Sequence, residues 1–333
     1  MKPIIDIKDL SIDFRLKKGV LRACDKVSLT IYEGEILGVI GESGSGKSTL
    51  AAGILNLVQN PGKITEGSII YHTRDGKDVD LLSLSTKEFA SYRWTQIASV
   101  FQAAQNALNP VLTVKEHFLE TVWAHNPDMK KEEIIEKAKK IMKQVRLEER
   151  VIDYYAHQLS GGMKQRVIIA LSLLLDPEII ILDEPTTALD VITQWYIIDI
   201  LRNIHKELGV TMVFLTHDVS IIGSVVDRIA VMYAGQVVEY GKVEDVFKTP
   251  SHPYTYGLMN AIPSLHDDIE QRKGIPGYPP NLLDLPHKCR FTDRCMIHLS
   301  GQCEGNKEKT DVLYDVKEQQ CSRCYNWKKV KSL

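Results

Sequence analysis

The sequence contains no long apolar segment, and this limits where the chain can act. A membrane-spanning helix needs about 20 consecutive apolar residues. The apolar runs at Leu171–Leu175 and Ile179–Leu182 are short and are separated by Asp-Pro-Glu. The first residues, Met-Lys-Pro-Ile-Ile-Asp, interrupt their apolar character with charge and do not resemble a signal peptide. We therefore expect a cytosolic chain.

The sequence also lacks an excess of charge of either sign. Its 41 Lys and Arg residues and 43 Asp and Glu residues give a formal net charge of −2 at pH 7. Broad positive potential, which attracts DNA or RNA, is therefore absent, and the bulk charge argues against a nucleic-acid binder. With 44% hydrophobic and 25% charged residues, the 333-residue chain has the composition of a soluble globular protein of about two domains.

Cysteine is nearly absent until the last part of the chain. Cys24 stands alone in the first part, whereas five of the six cysteines fall between Cys289 and Cys324. Because thiols stay reduced in the cytosol, we interpret them as buried thiols or metal ligands rather than disulfides. The sequence also contains no internal repeat and no second phosphate-binding loop.

Hydrophobic spacing predicts an α/β protein. Apolar and polar residues alternate through Ile5–Phe14 and Val27–Ile31, which is typical of an antiparallel sheet. Apolar residues at helical spacing from Ile134 to Val145, in a segment opened by Asp128, predict an amphipathic helix. Strands alternating with helices favour a parallel core. The predicted buried strands are Ile36–Ile40, Ile97–Phe101, Ile179–Asp183, Thr211–Thr216 and Ile229–Tyr233.

The segment Gly41-Glu-Ser-Gly-Ser-Gly-Lys47-Ser48 fits the phosphate-loop pattern G-x-x-x-x-G-K-[ST]. It lies between a predicted strand and a helix predicted to begin at Lys47. Its glycines let backbone N–H groups curl around phosphate oxygens, Lys47 reaches the terminal phosphates, and Ser48 holds Mg²⁺. The chain is therefore predicted to bind a nucleoside triphosphate. The predicted binding residues are Gly41, Ser43, Gly44, Ser45, Gly46, Lys47, Ser48 and Thr49.

Two acids follow the apolar run that begins at Ile179. Ligands bind at the carboxyl ends of strands in open α/β sheets, where an acid can hold Mg²⁺ beside the phosphates. Asp183 is predicted to be that acid, and Glu184 is placed to act as the general base toward an attacking water.

Four strings resemble those of ATP-binding-cassette (ABC) ATPases. The signature motif is resembled by Leu159-Ser-Gly-Gly-Met-Lys-Gln-Arg166, and the D-loop by Ala188-Leu189-Asp190. Gln102 resembles the Q-loop glutamine, and His217, within Phe214-Leu-Thr-His-Asp218, resembles the switch histidine. The resemblance covers roughly Pro3 to Tyr240. It implies an ABC-type P-loop ATPase with a RecA-like parallel sheet, an antiparallel β subdomain and a helical subdomain at about residues 103–176. It also implies that Gln102 helps to hold Mg²⁺ and that His217 contacts the γ-phosphate.

The signature implies a second subunit. Ser160, Gly161 and Gly162 precede a predicted helix, whose unpaired N–H groups and dipole attract a phosphate. In the family, the signature of one subunit closes on the ATP of the other, which implies that Ser160, Gly161 and Gly162 act in a head-to-tail dimer. The resemblance also implies that Asp190 of the D-loop takes part in nucleotide binding. The partner could be this chain or a paralogue. Phe14 is either the aromatic residue that stacks on adenine or a core residue of the first sheet.

The C-terminal quarter resembles that of dipeptide and oligopeptide permease ATPases. Three segments carry this resemblance, namely Ser251-His-Pro-Tyr-Thr-Tyr256, Ile275-Pro-Gly277 and Lys288-Cys-Arg-Phe-Thr-Asp-Arg-Cys295. Asp293 departs from the expected proline, and the Asp-Pro expected after Gln102 is missing. The resemblance implies a cassette at residues 1–250 and an extension at 251–333, docked on membrane permease subunits at the cytosolic face. An extracytoplasmic peptide-binding protein would be an indirect partner, and no nucleic acid is implied.

Four of the five late cysteines could gather around one centre. We predict that Cys289, Cys295, Cys303 and Cys321 are the ligands, with Cys324 an onlooker or a rival fourth ligand. Spacing alone does not choose the metal, since four thiolates hold either zinc or a four-iron cluster. The family resemblance favours a [4Fe-4S] cluster over zinc, and zinc over unligated thiols. Cys24 is predicted to be a small core residue.

Two other functions remain open at this level. The chain could be a soluble ABC ATPase acting on nucleic acid or ribosomes, although such proteins often carry two cassettes or a long coiled-coil insert. It could also be an ATPase in metal-cluster assembly or redox sensing, in which case ATP turnover would depend on the state of the cluster.

Overall fold

The computed structural model describes residues 1–261, 274–285, 289–303 and 312–330. The chain forms two compact units, one made of Met1–Leu82 and Leu215–Leu333 and the other of Ser83–Phe214. The predicted loop at Gly274–Pro286 has neither helix nor strand over residues 274–285, and Pro286 lies outside the described residues. The predicted division at residue 250 is not the division into these units and stays a prediction.

Strands and helices alternate along most of the chain, as the hydrophobic pattern predicts. The strands are β1 Pro3–Leu16, β2 Gly19–Tyr32, β3 Ile36–Ile40, β4 Gly62–His72, β5 Asp78–Asp80, β6 Ile97–Val100, β7 Ile179–Asp183, β8 Thr211–Thr216, β9 Arg228–Tyr233, β10 Gln236–Lys242, β11 Tyr314–Lys317 and β12 Gln320–Ser322. The helices are α1 Lys47–Ile54, α2 Thr86–Ala90, α3 Val114–Trp123, α4 Lys131–Gln144, α5 Gly161–Leu173, α6 Val191–Leu208, α7 Val219–Ile222, α8 Val243–Lys248, α9 Pro253–Ala261, α10 Met296–Leu299 and α11 Trp327–Val330.

The first unit begins with an antiparallel sheet of order β2-β1-β4-β5. Ile5, Ile7, Leu10 and Ile12 on β1 are almost fully buried, and the change in their spacing coincides with irregularities in the pairing of β1 with β2. The predicted antiparallel sheet at the start of the chain is confirmed.

A second run of strands in the first unit has the order β11-β12-β10-β9-β3. The phosphate-loop strand β3 runs parallel to β9, whereas β9, β10, β12 and β11 pair antiparallel. Every residue of β3 is buried, as is usual for a strand with a parallel neighbour in an α/β sheet. The C-terminal residues therefore extend the sheet that carries the phosphate loop.

The second unit combines parallel strands with the helical part of the chain. β6 runs parallel to β7, in a register that pairs Ile97 with Ile179. Helices α3, α4 and α5 pack together through buried side chains such as Phe118, Ile134 and Met142. The predicted amphipathic helix is confirmed, but it begins at Lys131 rather than at Asp128, since Lys130 is still extended. Among the described residues, no helix has the length and apolar character needed to cross a bilayer.

Candidate active site

The phosphate loop connects β3 to α1 in the first unit. Gly41 and Gly46 have φ values of 154° and 103°, which L side chains rarely adopt. A Cβ atom on Gly41 would lie 2.2 Å from the carbonyl oxygen of Met232, and one on Gly46 would lie 2.4 Å from that of Ala23. Both positions therefore require glycine, because other backbone passes directly behind the loop. The predicted strand and the predicted helix start at Lys47 are confirmed.

The side chain of Lys47 lies over this loop. It is only 5% exposed, and its Nζ donates to the carbonyl oxygens of Gly41 and Glu42 at 2.7 and 3.1 Å and to Ser45 Oγ at 3.4 Å. Ser43, Gly44 and Ser48 are exposed, and Thr49 is half-buried. A cationic lysine head above an exposed turn that precedes a helix N-terminus is the arrangement that receives phosphate oxygens.

Two residues for which the sequence predicted no role, Tyr254 and Arg294, hold Glu42 of the loop. The backbone N–H of Glu42 donates to Tyr254 Oη at 2.9 Å. Its carboxylate accepts from Nη1 and Nη2 of Arg294 at 2.8 and 2.9 Å. Glu42 occupies an unspecified position of the loop pattern, and Arg294 is 252 residues away. No local signal in the sequence connects them.

His217 directly follows β8. The next residue, Asp218, begins α7 by accepting from the backbone N–H of Ser220 at 3.0 Å, while the N–H of Asp218 donates to Thr216 Oγ1 at 3.0 Å. His217 is thus at a strand-to-helix turn, where the strand-end prediction placed it. Its contact with a γ-phosphate stays a prediction.

The predicted acids lie at the end of β7 in the second unit. Asp183 is the last strand residue and is 6% exposed. Glu184 adopts a left-handed φ of 47°, and its Oε2 accepts from Gln102 Nε2 at 3.2 Å and from Thr187 Oγ1 at 2.9 Å. Because β6 and β7 are parallel neighbours, their carboxyl ends share an edge and bring Gln102 and Glu184 together. The geometry pairs the predicted base with the predicted Q-loop glutamine.

The signature forms the beginning of α5. Ser160 Oγ accepts from the backbone N–H of Met163 at 3.3 Å and caps the helix, and Ser160 and Gly161 are exposed. A Cβ atom on Gly162 would lie 2.8 Å from Thr193 Cγ2, so glycine here lets the starts of α5 and α6 approach. Asp190 caps α6 through the N–H and Oγ1 of Thr193 at 2.9 and 2.7 Å. Hydrogen bonds from Thr193 lower the pKa of the Asp190 carboxyl.

Phe14 lies in the antiparallel sheet at the start of the chain. It is half-buried and is paired across β4 with Gly62, where a Cβ atom would lie 2.7 Å from the ring. Its ring therefore covers Gly62, and neither predicted role is decided by this position.

Four cysteines line one cavity in the first unit, together with apolar side chains such as Phe291 and Ile297. The four are Cys289, Cys295, Cys303 and Cys324. Burial raises the pKa of Cys289 to about 11 and raises the pKa values of Cys295 and Cys324, so as free thiols these three are kept protonated. Within the described ranges, no three His, Cys, Asp or Glu side chains form a group placed to hold a metal ion.

Cys321, predicted to be the fourth ligand, lies outside this set of cavity-lining residues. In β12, Cys321 stands between Tyr240 of β10 and Asp315 of β11, with its Sγ 3.2 Å from Tyr240 Oη and 3.1 Å from Asp315 Oδ1. Cys324, predicted to be either an onlooker or a rival fourth ligand, lies beyond the strand and lines the cavity. Cys24 is fully buried, as predicted for a core residue.

Comparison with protein families finds two matching regions. Residues 24–187 match the model described as ABC transporter, and residues 238–303 match the model described as oligopeptide/dipeptide transporter, C-terminal region.

Curated relatives match over almost the whole length. The chain is 45% identical to the dipeptide transport ATP-binding protein DppD of Caldanaerobacter subterraneus over 310 residues, which are 93% of each chain. It is 39% identical to the oligopeptide transport ATP-binding protein OppD of Haemophilus influenzae over 306 residues, covering 91% of this chain and 92% of the relative.

Solved structures match the larger part of the fold. The dimeric ATP-binding cassette MJ0796, in a post-hydrolysis state bound to ADP and Pi, has a TM-score of 0.63 and 33% identity, covering 72% of this chain and 99% of that one. CbiO1 of Clostridium perfringens, part of an ABC transporter complex, has a TM-score of 0.63 and 30% identity, covering 74% of this chain and 92% of that one.

Proposed function

The chain belongs to the ABC transporter family, and from this membership we propose that it is the ATP-hydrolysing subunit that powers import of di- or oligopeptides through a membrane permease. The observation that carries the ATPase activity is the phosphate loop, in which Gly41 and Gly46 cannot be replaced without moving adjacent backbone. The peptide cargo is supported by the relatives named for dipeptide and oligopeptide transport and by the match of the C-terminal region.

Each unit contributes its own part of the chemistry. In the first unit, the loop N–H groups and Lys47 bind the triphosphate, and His217 contacts its γ-phosphate. In the second unit, Glu184 accepts the proton of the attacking water, which lets the water oxygen attack phosphorus as the bond to ADP breaks. Hydrogen bonds from Gln102 and Thr187 to one oxygen of Glu184 fix the orientation of this base.

Magnesium would supply charge neutralisation on the phosphates. We assign Ser48 as a ligand in the first unit, and Gln102 and Asp183 in the second. Hydroxyl, amide and carboxylate oxygens are the donors that Mg²⁺ prefers. Gln102 directs its amide nitrogen to Glu184, which leaves its amide oxygen for the metal.

The working assembly is proposed to be a head-to-tail dimer bound to permease subunits at the cytosolic face. The exposed start of α5 at Ser160 would bind the ATP of the partner cassette, and Asp190 would lie beside it. The dimeric state of the cassette MJ0796 supports this assembly. An extracytoplasmic peptide-binding protein would deliver the cargo.

The cavity lined by cysteines is proposed to hold a [4Fe-4S] cluster, with zinc as the alternative. Four thiolates suit either group. We assign Cys289, Cys295, Cys303 and Cys324 as the ligands because they line one cavity, where metal–thiolate bonds would supply order to a compact module.

The transport function can be tested by purifying the tagged chain from membranes and identifying the proteins that accompany it. We expect a permease and an ATP-binding partner. Proteoliposomes containing that complex, with its binding protein, should accumulate labelled di- or oligopeptide only when ATP is present on the side of this chain. Recovery with ribosomes or nucleic acid and no permease would contradict the proposal.

A further inference from the structure

A carboxylate in the phosphate loop is electrostatically unfavourable for the proposed ligand. Glu42 is the second residue of the loop, and its carbonyl oxygen already accepts from the lysine that reaches the phosphates. A triphosphate bound to this loop carries several negative charges, and a nearby like charge weakens binding unless it is compensated. The compensation must come from another part of the chain.

Arg294 supplies the opposite charge. Its guanidinium group forms a two-pronged ion pair with Glu42, and the side chains are 6% and 28% exposed. Two further contacts hold the orientation of the Arg294 guanidinium group. Its Nε donates to the Pro276 carbonyl oxygen at 2.8 Å, and its Nη1 lies 3.3 Å from Tyr233 Oη. Such bidentate pairs are both strong and geometrically specific.

Arg294 belongs to the C-terminal module, which comprises the described residues from Ser251 onward and contains the cavity lined by cysteines. Arg294 directly precedes Cys295, and Phe291 packs edge-on against Tyr233 and Tyr254 with ring centroids 5.3 and 5.5 Å apart. Tyr254 is the residue that accepts the N–H of Glu42. The module therefore reaches the loop through one ion pair and one hydrogen bond, both on the same loop residue.

We propose that Arg294 is a positioning residue for nucleotide binding, which neutralises Glu42 in the phosphate loop and so makes ATP affinity depend on the C-terminal module. The inference rests on the proposed ATP binding at this loop. Arg294 is nearly buried and acts through Glu42 rather than by touching the nucleotide.

The decisive experiment compares Arg294→Gln with the double variant Glu42→Gln/Arg294→Gln. Titration of a fluorescent ATP analogue, with Mg²⁺, measures Kd. In Arg294→Gln the carboxylate is left uncompensated, and Kd should rise about tenfold, within the usual range of coupling between sites. In the double variant the negative charge of Glu42 is also removed, and Kd should return to within about twofold of the wild-type value. Added salt should weaken the effect of the single change because it screens the repulsion.

A matched control is Lys317→Gln. Lys317 also joins the C-terminal segment to the rest of the unit by an ion pair, at 2.5 Å, but its partner is Asp245 in α8. Its loss should leave Kd unchanged. Thermal unfolding of the nucleotide-free variants separates binding from folding, since a purely structural role would lower the melting temperature and leave Kd as in wild type.

Two results would overturn the proposal: an unchanged Kd in Arg294→Gln, or an equal weakening in the single and double variants. If Arg294→Gln does not fold, Glu42→Gln carries the test alone. Removing the carboxylate while keeping the cation should then lower Kd, and a rise would refute the charge argument. Wild-type hydrolysis in the same preparations tests the proposed ATPase function separately.

Discussion

Replacing Glu184 by Gln should stop turnover while sparing nucleotide binding. Glu184 Oε2 accepts two hydrogen bonds, from Gln102 and Thr187. The amide oxygen of glutamine can accept both, so the side chain should keep its position while losing its basicity. The loss is then that of a positioned general base, about 10²–10⁴ in rate, or about 3–5 kcal/mol in the barrier.

Single-turnover hydrolysis of radiolabelled ATP, with enzyme in excess, measures the chemical step directly. Kd for the fluorescent ATP analogue should stay within about threefold of wild type, because this change leaves the phosphate loop intact. The control is Thr187→Val, which removes one of the two hydrogen bonds and keeps the carboxylate. Its rate should fall by only about tenfold, since the base is less well oriented but still present.

A near-normal single-turnover rate in Glu184→Gln would remove Glu184 from the role of base. A loss of equal size in Thr187→Val would show that the turn at the end of β7, rather than the carboxylate, limits the reaction. A parallel loss of ATP affinity would mean that the change disturbs binding.

Three further predictions concern assembly, metal and pH. In the Glu184→Gln background, Ser160→Arg should spare nucleotide binding but abolish the ATP-dependent dimer in sedimentation, because the larger side chain crowds the exposed start of α5; an unchanged dimer would contradict closure in trans. Anaerobically purified protein should contain iron and acid-labile sulfide in equal numbers. The Cys324→Ser variant should lose both, and the Cys321→Ser variant should keep both. Zinc without sulfide would reassign the metal, and equal loss in both variants would contradict the proposed ligand set. Burial raises the pKa of Glu239 from 4.5 to about 7, so the folded chain retains a proton that the unfolded chain releases and stability should fall as pH rises through that interval. Glu239→Gln should flatten this fall in a pH series of thermal unfolding, and an unchanged slope would show that Glu239 is not its source.

The parts of the site that are contiguous in the chain could be predicted from the sequence. The phosphate loop needs a strand end, a tight turn and a helix start within one short segment; β3 has the predicted bounds, and α1 begins at Lys47 as predicted. Helix caps are equally local, which is why the beginning of α5 at Ser160 could be expected from its residues. The start of α4 was missed by three residues, because Asp128 lies in a turn, where the Met129 N–H donates to the Asn126 carbonyl oxygen at 3.3 Å, and Lys130 is extended.

Contacts between distant residues could not be predicted from pattern alone. Gln102 and Glu184 are 82 residues apart, and they meet because β6 and β7 are parallel neighbours. Cys321 and Cys324 have a spacing common in metal sites, yet pairing of β12 on both sides holds Cys321 against Tyr240 and Asp315. Because β12 ends at Ser322, Cys321 is held within the strand, whereas Cys324 lies beyond it and lines the cavity.

The sequence by itself determined that this is an ABC ATPase with a phosphate loop and a cysteine-rich extension. Each of these features depends on residues that are close together in the chain, so a short segment is enough to identify it. Only the tertiary structure shows that Cys324, rather than Cys321, lines the cavity and that Arg294 forms an ion pair with Glu42 in the loop. The physical reason is that ion pairs and shared cavities depend on distance in space, and packing of the extension on the loop's own sheet brings together side chains that are 252 residues apart.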